Sequence, residues 1–244
     1  MLCGCTKEEP VTNDRLIAHA GGAVYGLRYT NSKEALDLSY SNGHRYIELD
    51  FERTLDREIV LIHDWTGTAK RLFGSEGRMA KGTFLAKETL SDLTTLDLSG
   101  LESWLENHAD VYIISDVKES NTKLITQIKN GYPEVFEKLI PQAYSFEEYD
   151  ALIKIGCERV IFTTYAVFDK SEEEVDSFVL DRKPFALTLE QSTLSKERLE
   201  KLSQAGIKVF AHTVNDLYTF ENWKDYGLYG IYTDYITPKG FPYN

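Results

Sequence analysis

The chain has 244 residues, of which 42% are hydrophobic, and a formal net charge of −12. This length and apolar content support a sizeable core and exclude a disordered chain. The acidic excess, with no basic run, disfavours a nucleic-acid partner. An anionic substrate would therefore need positive charge gathered locally, by a metal ion or by a few Lys and Arg side chains.

The start of the chain resembles the end of a bacterial lipoprotein signal. It contains Leu2, Cys3, Gly4 and Cys5, and in such signals the final cysteine is lipidated. The apolar segment that normally precedes this motif is missing. If the true start lies upstream, a lipidated Cys5 would bring membrane association in the bacterial cell envelope; if the match is chance, a cytoplasmic location is expected. We interpret residues 1–14 as a polar tail.

Beyond this tail, short apolar strands alternate with amphipathic helices. Strands are predicted over residues 16–18, 46–51, 111–114, 138–143, 159–163, 185–189, 207–211 and 230–233. Helices are predicted over residues 32–42, 101–107, 122–130, 145–155, 195–205 and 215–226, with a further helix that begins at residue 171. Asn31 and Asn215 are predicted N-caps. Eight strands joined by helices predict an α/β fold, a single (β/α)8 TIM-type barrel over residues 15–244.

A short insertion is predicted after the second barrel strand. Residues 59–62 form an extra strand that ends at His63 and Asp64. Residues 65–89 are rich in glycine and lack clear periodicity, which predicts a long loop or a small insertion. His44, outside this segment, is predicted to lie on the surface.

Two acidic residues lie on one face of the second strand. Glu48 and Asp50 are two positions apart, so their side chains point the same way. Two carboxylates on a buried face are costly unless a cation lies between them, and carboxylate oxygens suit Mg²⁺ and Ca²⁺. The alternative interpretation is a half-exposed strand whose outer face is acidic.

Other polar residues also collect where strands end. Because active sites of TIM barrels are built at the carboxyl ends of the strands, these residues are candidates for one site. An alternative for Asp116 and Lys118 is an internal ion pair. The candidates are His19, His63, Asp64, Asp116, Lys118, Glu190, His212, Asn215 and Asp234.

These motifs, in this order, carry a family resemblance that spans roughly residues 15–238. The chain resembles the glycerophosphodiester phosphodiesterase family, which belongs with the phosphatidylinositol-specific phospholipase C-like barrels. The motifs are His19-Ala20-Gly21-Gly22, Glu48-Leu49-Asp50, His63-Asp64, Asp116-Val117-Lys118, His212-Thr213-Val214-Asn215 and Gly230-Ile231-Tyr232-Thr233-Asp234-Tyr235.

The resemblance implies a role for each matching residue. Glu48, Asp50 and Asp116 would hold one divalent cation, Mg²⁺ or Ca²⁺. His19 and His63 would form a general acid/base pair, a task that suits imidazole at neutral pH. The expected substrate-binding residues are Lys118, Arg28, Glu190 and His212.

Three residues depart from the family pattern. Ala20 replaces the usual Arg that contacts phosphate, and Arg28 or Lys118 could compensate for it. Asp116 replaces a Glu, as in the related sphingomyelinase D branch. His212 replaces a Trp, which changes the floor of the pocket.

Three functions are compatible with this pattern. The first is metal-dependent hydrolysis of a small phosphodiester, a glycerophosphodiester or related phospholipid head group. The loss of the Arg supports a second, a catalytically degenerate barrel that binds phosphorylated ligands without turnover. The third is a metal-dependent lyase or aldolase, because one fold supports many chemistries.

Overall fold

The computed structural model describes residues 14–165 and 170–240, so Cys5 and nearly all of the predicted tail lie outside the described residues. Eight strands of the described chain pair in parallel, and β1 contacts both β2 and β9, which closes the sheet into the predicted barrel. β3 pairs antiparallel with β2. The strands are Leu16–Ala18 (β1), Tyr46–Arg53 (β2), Ile59–Leu61 (β3), Tyr112–Val117 (β4), Leu139–Ala143 (β5), Ile161–Thr163 (β6), Ala186–Glu190 (β7), Val209–His212 (β8) and Leu228–Thr233 (β9).

Helices connect the strands around the outside of the barrel. The α6 helix, which begins at a proline directly after α5, was not predicted. Within the described ranges, no helix is both long enough and apolar enough to cross a bilayer. The helices are Lys33–Ser41 (α1), Gly67–Phe73 (α2), Lys81–Ala86 (α3), Leu98–Glu106 (α4), Asn121–Gly131 (α5), Pro133–Lys138 (α6), Phe146–Ile155 (α7), Glu172–Arg182 (α8), Lys196–Gln204 (α9) and Leu217–Lys224 (α10).

The two predicted asparagine N-caps were wrong. Ser32 caps α1 and Asp216 caps α10, each one residue further along the chain. Ser and Asp accept hydrogen bonds from the first free helix amides as readily as Asn does. Residue type alone therefore does not decide which of two adjacent residues is the N-cap. The amides of Asn31 and Asn215 are used instead at the mouth of the barrel.

Two apolar layers lie on the two sides of the sheet. The inner layer fills the barrel below its mouth, and the outer layer packs between strands and helices. The alternation of strand side chains produces both layers from one chain, since successive residues face opposite sides. The inner layer contains Ile17, Ile114, Ile140, Ile161, Ala186, Phe210 and Tyr232.

The segment 65–89 is an ordered insertion with its own small core, so of the two predicted alternatives the small insertion is confirmed and the long loop is not. It contains α2 and α3, which are seven and six residues long. Trp65, Phe73 and Phe84 are buried together there, with ring centroids 5.7 Å apart. Helices of two turns are too short to show a 3.6-residue period in sequence.

His44 is buried rather than on the surface, contrary to the prediction. Its side chain lies between α1 and β2 with Nδ1 3.3 Å from the carbonyl oxygen of Leu16. Burial lowers the pKa of His44 to about 4, because the charged imidazolium would lose its hydration. The residue therefore belongs to the core as a neutral side chain.

This burial predicts a pH-dependent stability. The pKa of His44 is lower in the folded chain than in the unfolded one, so its contribution is complete above about pH 6.5 and is lost as the pH falls towards 4. In the variant His44→Gln, the loss of unfolding free energy between pH 7 and pH 4 should be smaller by about 3 kcal/mol than in the wild type. Urea unfolding at several pH values measures this difference, and parallel pH profiles would contradict it.

Candidate active site

Along each barrel strand, the side chains that point into the barrel change from apolar to polar at one end. The inward position after Ile17 is His19, and the one after Ile114 is Asp116, since inward positions are two residues apart. This end is the carboxyl end of the strands, where TIM barrels carry their sites. On the other strands, the same two-residue spacing leads to inward-facing polar residues at this end: Asp50, Tyr144, Tyr165, Glu190, His212 and Asp234.

The three predicted acidic ligands meet at this end. Glu48, Asp50 and Asp116 are 2%, 1% and 7% exposed, and one carboxylate oxygen of each lies within 4.8 Å of the others. Asp50 and Asp116 are register partners on β2 and β4, which places their side chains next to each other. The alternative of a half-exposed acidic face is therefore wrong.

The loop after β1 donates hydrogen bonds to two of these carboxylates. The backbone N–H of Ala20 donates to Oε2 of Glu48 at 2.7 Å. The Nδ2 group of Asn31 donates to Oδ2 of Asp50 at 2.9 Å, and the N–H of Asp50 donates to Oδ1 of Asn31 at 2.9 Å. Both Ala20 and Asn31 adopt a left-handed backbone conformation, which turns these groups towards β2.

Asp116 is bound by three neighbours. The hydroxyl of Tyr144 donates to Oδ1 at 2.5 Å, and the hydroxyl of Tyr165 donates to Oδ2 at 3.0 Å. The ammonium of Lys118 forms an ion pair with the same Oδ2 and lies 3.5 Å from Oδ1 of Asp50. The alternative of an internal Asp116–Lys118 ion pair is thus present, but inside the acidic group rather than apart from it.

The charges of this group are unbalanced. Burial raises the pKa of Glu48 and of Asp50, and repulsion from the neighbouring carboxylates adds to it. For Asp116, burial acts in the same direction but is outweighed by Lys118 and the two tyrosine hydroxyls, so its pKa is lowered. Three buried carboxylates against one ammonium leave net negative charge, and a hard divalent cation with oxygen ligands fits that donor set.

His19 is oriented by a carboxylate from the last strand. Its Nδ1 lies 2.9 Å from Oδ1 of Asp234, and because a carboxylate only accepts, Nδ1 carries the proton. Asn215 donates to Oδ2 of Asp234 at 2.7 Å, and Nη1 of Arg28 lies 3.5 Å from the same oxygen. The Nε2 atom of His19 lies 4.0 Å from Oε2 of Glu48, at the edge of the acidic group.

His63 is oriented in the same way by its neighbour in sequence. Its Nδ1 lies 2.8 Å from Oδ2 of Asp64. The carboxylate is itself fixed by the N–H groups of Thr66 and Thr68 and by the hydroxyl groups of the same two residues. These hydrogen bonds outweigh burial and hold the pKa of Asp64 well below its usual range. Both candidate histidines therefore present Nε2 as the free ring nitrogen.

Tyr29 connects the two histidines. Its ring centroid lies 4.7 Å from that of His19 and 4.9 Å from that of His63. The insertion braces this tyrosine, because Arg71 on α2 donates to the backbone carbonyls of Arg28 and Tyr29. The ordered insertion thus helps to set the spacing of the two imidazoles.

One cavity of about 670 Å³ opens over these groups. His19, His63, Asp116, Lys118 and the other candidates Glu190 and His212 all line it. Arg28 is not among its lining residues and is paired with Asp234. Six predicted site residues therefore line one cavity, and Glu48 and Asp50 adjoin it through Asp116. Asp64, Asn215 and Asp234 do not line it but hold the two histidines from behind.

His212 forms part of the wall next to His19. The two ring centroids are 4.8 Å apart, and Tyr165 and Tyr232 also contact the His212 ring. The pKa of His212 is lowered to about 3, mainly by burial and secondly by the proximity of His19. His212 is accordingly a neutral, polar wall residue at neutral pH.

Sequence reasoning missed three site residues, Tyr29, Tyr144 and Tyr165. The two-residue period would have identified the last two, since they follow Gln142 and Thr163 along inward rows. No sequence motif marks either residue. No comparable pattern marks Tyr29, which reaches the site from a loop.

The chain is similar to known proteins in sequence and in fold. The model of the Glycerophosphoryl diester phosphodiesterase family matches residues 19–166. The chain is 24% identical over 251 residues to YhdW of Bacillus subtilis (strain 168), which is named provisionally as a glycerophosphodiester phosphodiesterase; the match covers 90% of this chain and 94% of YhdW.

Solved structures show the same fold. A phosphodiesterase from Oleispira antarctica in complex with the product sn-glycerol-3-phosphate superposes with a TM-score of 0.71, at 17% identity, over 90% of this chain and 92% of the other. The glycerophosphodiester phosphodiesterase from Thermotoga maritima gives a TM-score of 0.63 at 23% identity, over 90% and 93% of the two chains.

The family match covers more than half of the chain and includes four of the six motifs that suggested it. It also includes all three acidic ligand candidates and both carboxylate-bound histidines. The chain therefore belongs to the glycerophosphoryl diester phosphodiesterase family, a family of phosphoric diester hydrolases.

Proposed function

We propose that this protein hydrolyses a small glycerophosphodiester, with one divalent cation bound by Glu48, Asp50 and Asp116. The observation that carries the proposal is the single cavity in which a buried acidic triad lies beside two imidazoles that are each oriented by a carboxylate. Mg²⁺ and Ca²⁺ are the cations of choice, because both prefer carboxylate oxygens.

A cation in the triad would supply charge neutralisation for an anionic phosphodiester and for its crowded transition state. The unbalanced charge of the three buried carboxylates supports this role. The hydrogen bonds from Ala20 and Asn31 fix the carboxylates of Glu48 and Asp50 before any ligand binds, so binding requires little reorganisation of these side chains.

His19 and His63 would move the protons. With Nδ1 held by a carboxylate, each ring has Nε2 available, and an imidazole can take a proton from the attacking hydroxyl or donate one to the leaving alkoxide. Asp234 and Asp64 would stabilise whichever ring is charged and keep it in position. The two histidines thus form a two-group acid/base system across the cavity.

The substrate class follows from the family and from the size of the cavity. A volume of about 670 Å³ suits a small molecule. The product sn-glycerol-3-phosphate in the Oleispira antarctica phosphodiesterase supports a glycerol phosphate moiety in the substrate of this chain. Glu190 and His212 would contact the rest of the substrate from the cavity wall.

A binding protein without turnover is the second candidate, and Ala20 favours it. Its side chain is buried and carries no charge where the family has a phosphate-contacting arginine. Hydrolysis assays on a panel of glycerophosphodiesters, with Mg²⁺ or Ca²⁺ and then with chelator, separate the two candidates. Chelator-sensitive release of alcohol supports hydrolysis, whereas binding without release supports the alternative.

Replacing His63 tests the acid/base role. In His63→Ala the turnover number should fall by about 10²–10⁴-fold, because proton transfer is lost while the half-buried position at the cavity wall tolerates alanine. His108→Ala is the matched control, since His108 stacks on Trp104 before the amino end of β4, at the opposite end of the barrel. Wild-type turnover in His63→Ala, measured with circular dichroism to confirm folding, would contradict the role.

Replacing Glu48 tests the cation site. Glu48→Gln keeps an oxygen for the Ala20 N–H but removes one buried charge, so the cation-free protein should become more stable by about 1–3 kcal/mol. Cation binding should weaken at least about tenfold, because an ionised ligand is lost. Thermal unfolding with and without Ca²⁺ measures both effects, and an unchanged Ca²⁺-induced shift would refute the assignment of Glu48.

A further inference from the structure

The oxygens of the acidic group are divided between two kinds of partner. A neutral donor holds one oxygen of each carboxylate: the N–H of Ala20, the amide of Asn31 and the hydroxyl of Tyr144. The hydroxyl of Tyr165 donates to the second oxygen of Asp116, which it shares with Lys118. The second oxygens of Asp50 and Asp116 face Lys118, whose ammonium contacts both. Lys118 therefore pairs with one oxygen of each of two candidate cation ligands.

An ammonium and a divalent cation cannot share these oxygens. At separations of about 3–4 Å, the electrostatic repulsion between them would be strong in a buried site. The carboxylates are fixed by their other oxygens, so they cannot turn away to serve both cations. Lys118 is the movable partner, because it ends a flexible four-carbon chain.

Lys118 also has space into which it can move. It lines the main cavity of about 670 Å³ and a second cavity of about 430 Å³. It forms part of the wall between them together with Asp116 and Tyr165, and its side chain is 34% exposed. A rotation of this side chain would carry the ammonium from the carboxylates into the main cavity.

The main cavity lacks another available cation among the described residues. Arg28 is paired with Asp234 and lies outside the lining, and Ala20 brings no charge. Apart from a protonated His19 or His63, a bound phosphodiester would therefore meet a lysine or arginine of the described cavity lining only if Lys118 leaves the carboxylates.

We propose that Lys118 is a displaceable counter-ion that divalent cation binding transfers from Asp50 and Asp116 to the phosphate. This inference rests on the proposed function, because it assumes the same cation site. In the cation-free protein Lys118 stabilises the buried carboxylates; in the loaded protein it takes the place of the family's missing arginine. Phosphate binding is then conditional on cation binding.

Calorimetry on Lys118→Met tests the transfer through two effects of opposite sign. Ca²⁺ should bind at least about tenfold more tightly than to the wild type, because no ammonium has to be displaced. Inorganic phosphate, titrated into the Ca²⁺-loaded protein, should bind about tenfold more weakly, because its protein-borne cation is gone. Arg28→Gln is the matched control, because it removes a cation that pairs with none of the three candidate cation ligands. The Ca²⁺ affinity of this variant should change by less than about threefold.

The outcomes separate this inference from the proposed function. If the wild type binds no divalent cation, the proposed cation site and the transfer both fall. If the wild type binds Ca²⁺ but Lys118→Met binds it no more tightly, only the transfer falls. Equal tightening in Arg28→Gln would also overturn it, because general electrostatics would then explain the effect.

A measurement on the wild type avoids the risk that Lys118→Met misfolds. Acetylation of lysines, followed by mass spectrometry, reports how available each ammonium is. Addition of Ca²⁺ should raise the labelling rate of Lys118 several-fold, whereas that of Lys70, an exposed residue on α2 paired with Glu76, should stay constant. A rate at Lys118 that is unchanged or reduced by Ca²⁺ would overturn the proposal.

Discussion

The burial of three carboxylates at one end of the barrel is the constraint on which the rest of the site depends. Glu48, Asp50 and Asp116 come from two neighbouring strands and have almost no access to water. Such a group persists only if hydrogen bonds and positive charge compensate the lost hydration. Hydrogen bonds from the surrounding loops and tyrosines provide part of this, and Lys118 provides the charge in the cation-free protein.

The barrel makes this arrangement possible because the residues that stabilise its interior and the residues that form the site occupy different levels along its axis. Apolar inward residues fill the lower interior and close the sheet, so the upper positions are free to be polar. Glu48 and Asp50 belong to the same strand as the outward-facing Leu49 and Phe51, which pack against helices. One strand thus contributes to the core and to the buried acidic group at once.

Much of the molecule was predictable from sequence because it depends on periodic patterns. The barrel follows from alternating strands and helices, and the acidic triad from strand-end positions together with the family motifs. The short insertion helices were not predictable, since two turns show no period, and His44 was misplaced because a single polar residue carries no burial signal. The positions of Tyr29 and of the Lys118 ammonium depend on side-chain contacts across the fold, which no local pattern encodes.

The pairing of His19 with Asp234 joins residues that are 215 positions apart, from the first strand and from the end of the last. The ring of His19 can take its oriented form only when β9 has docked beside β1 and the sheet has closed. During synthesis on the ribosome, an emerging chain would already hold the acidic residues of β2 and β4 while this histidine still lacked its partner. In the proposed mechanism, proton transfer would thereby depend on completion of the barrel, and a partly made polypeptide would have an incomplete acid/base pair.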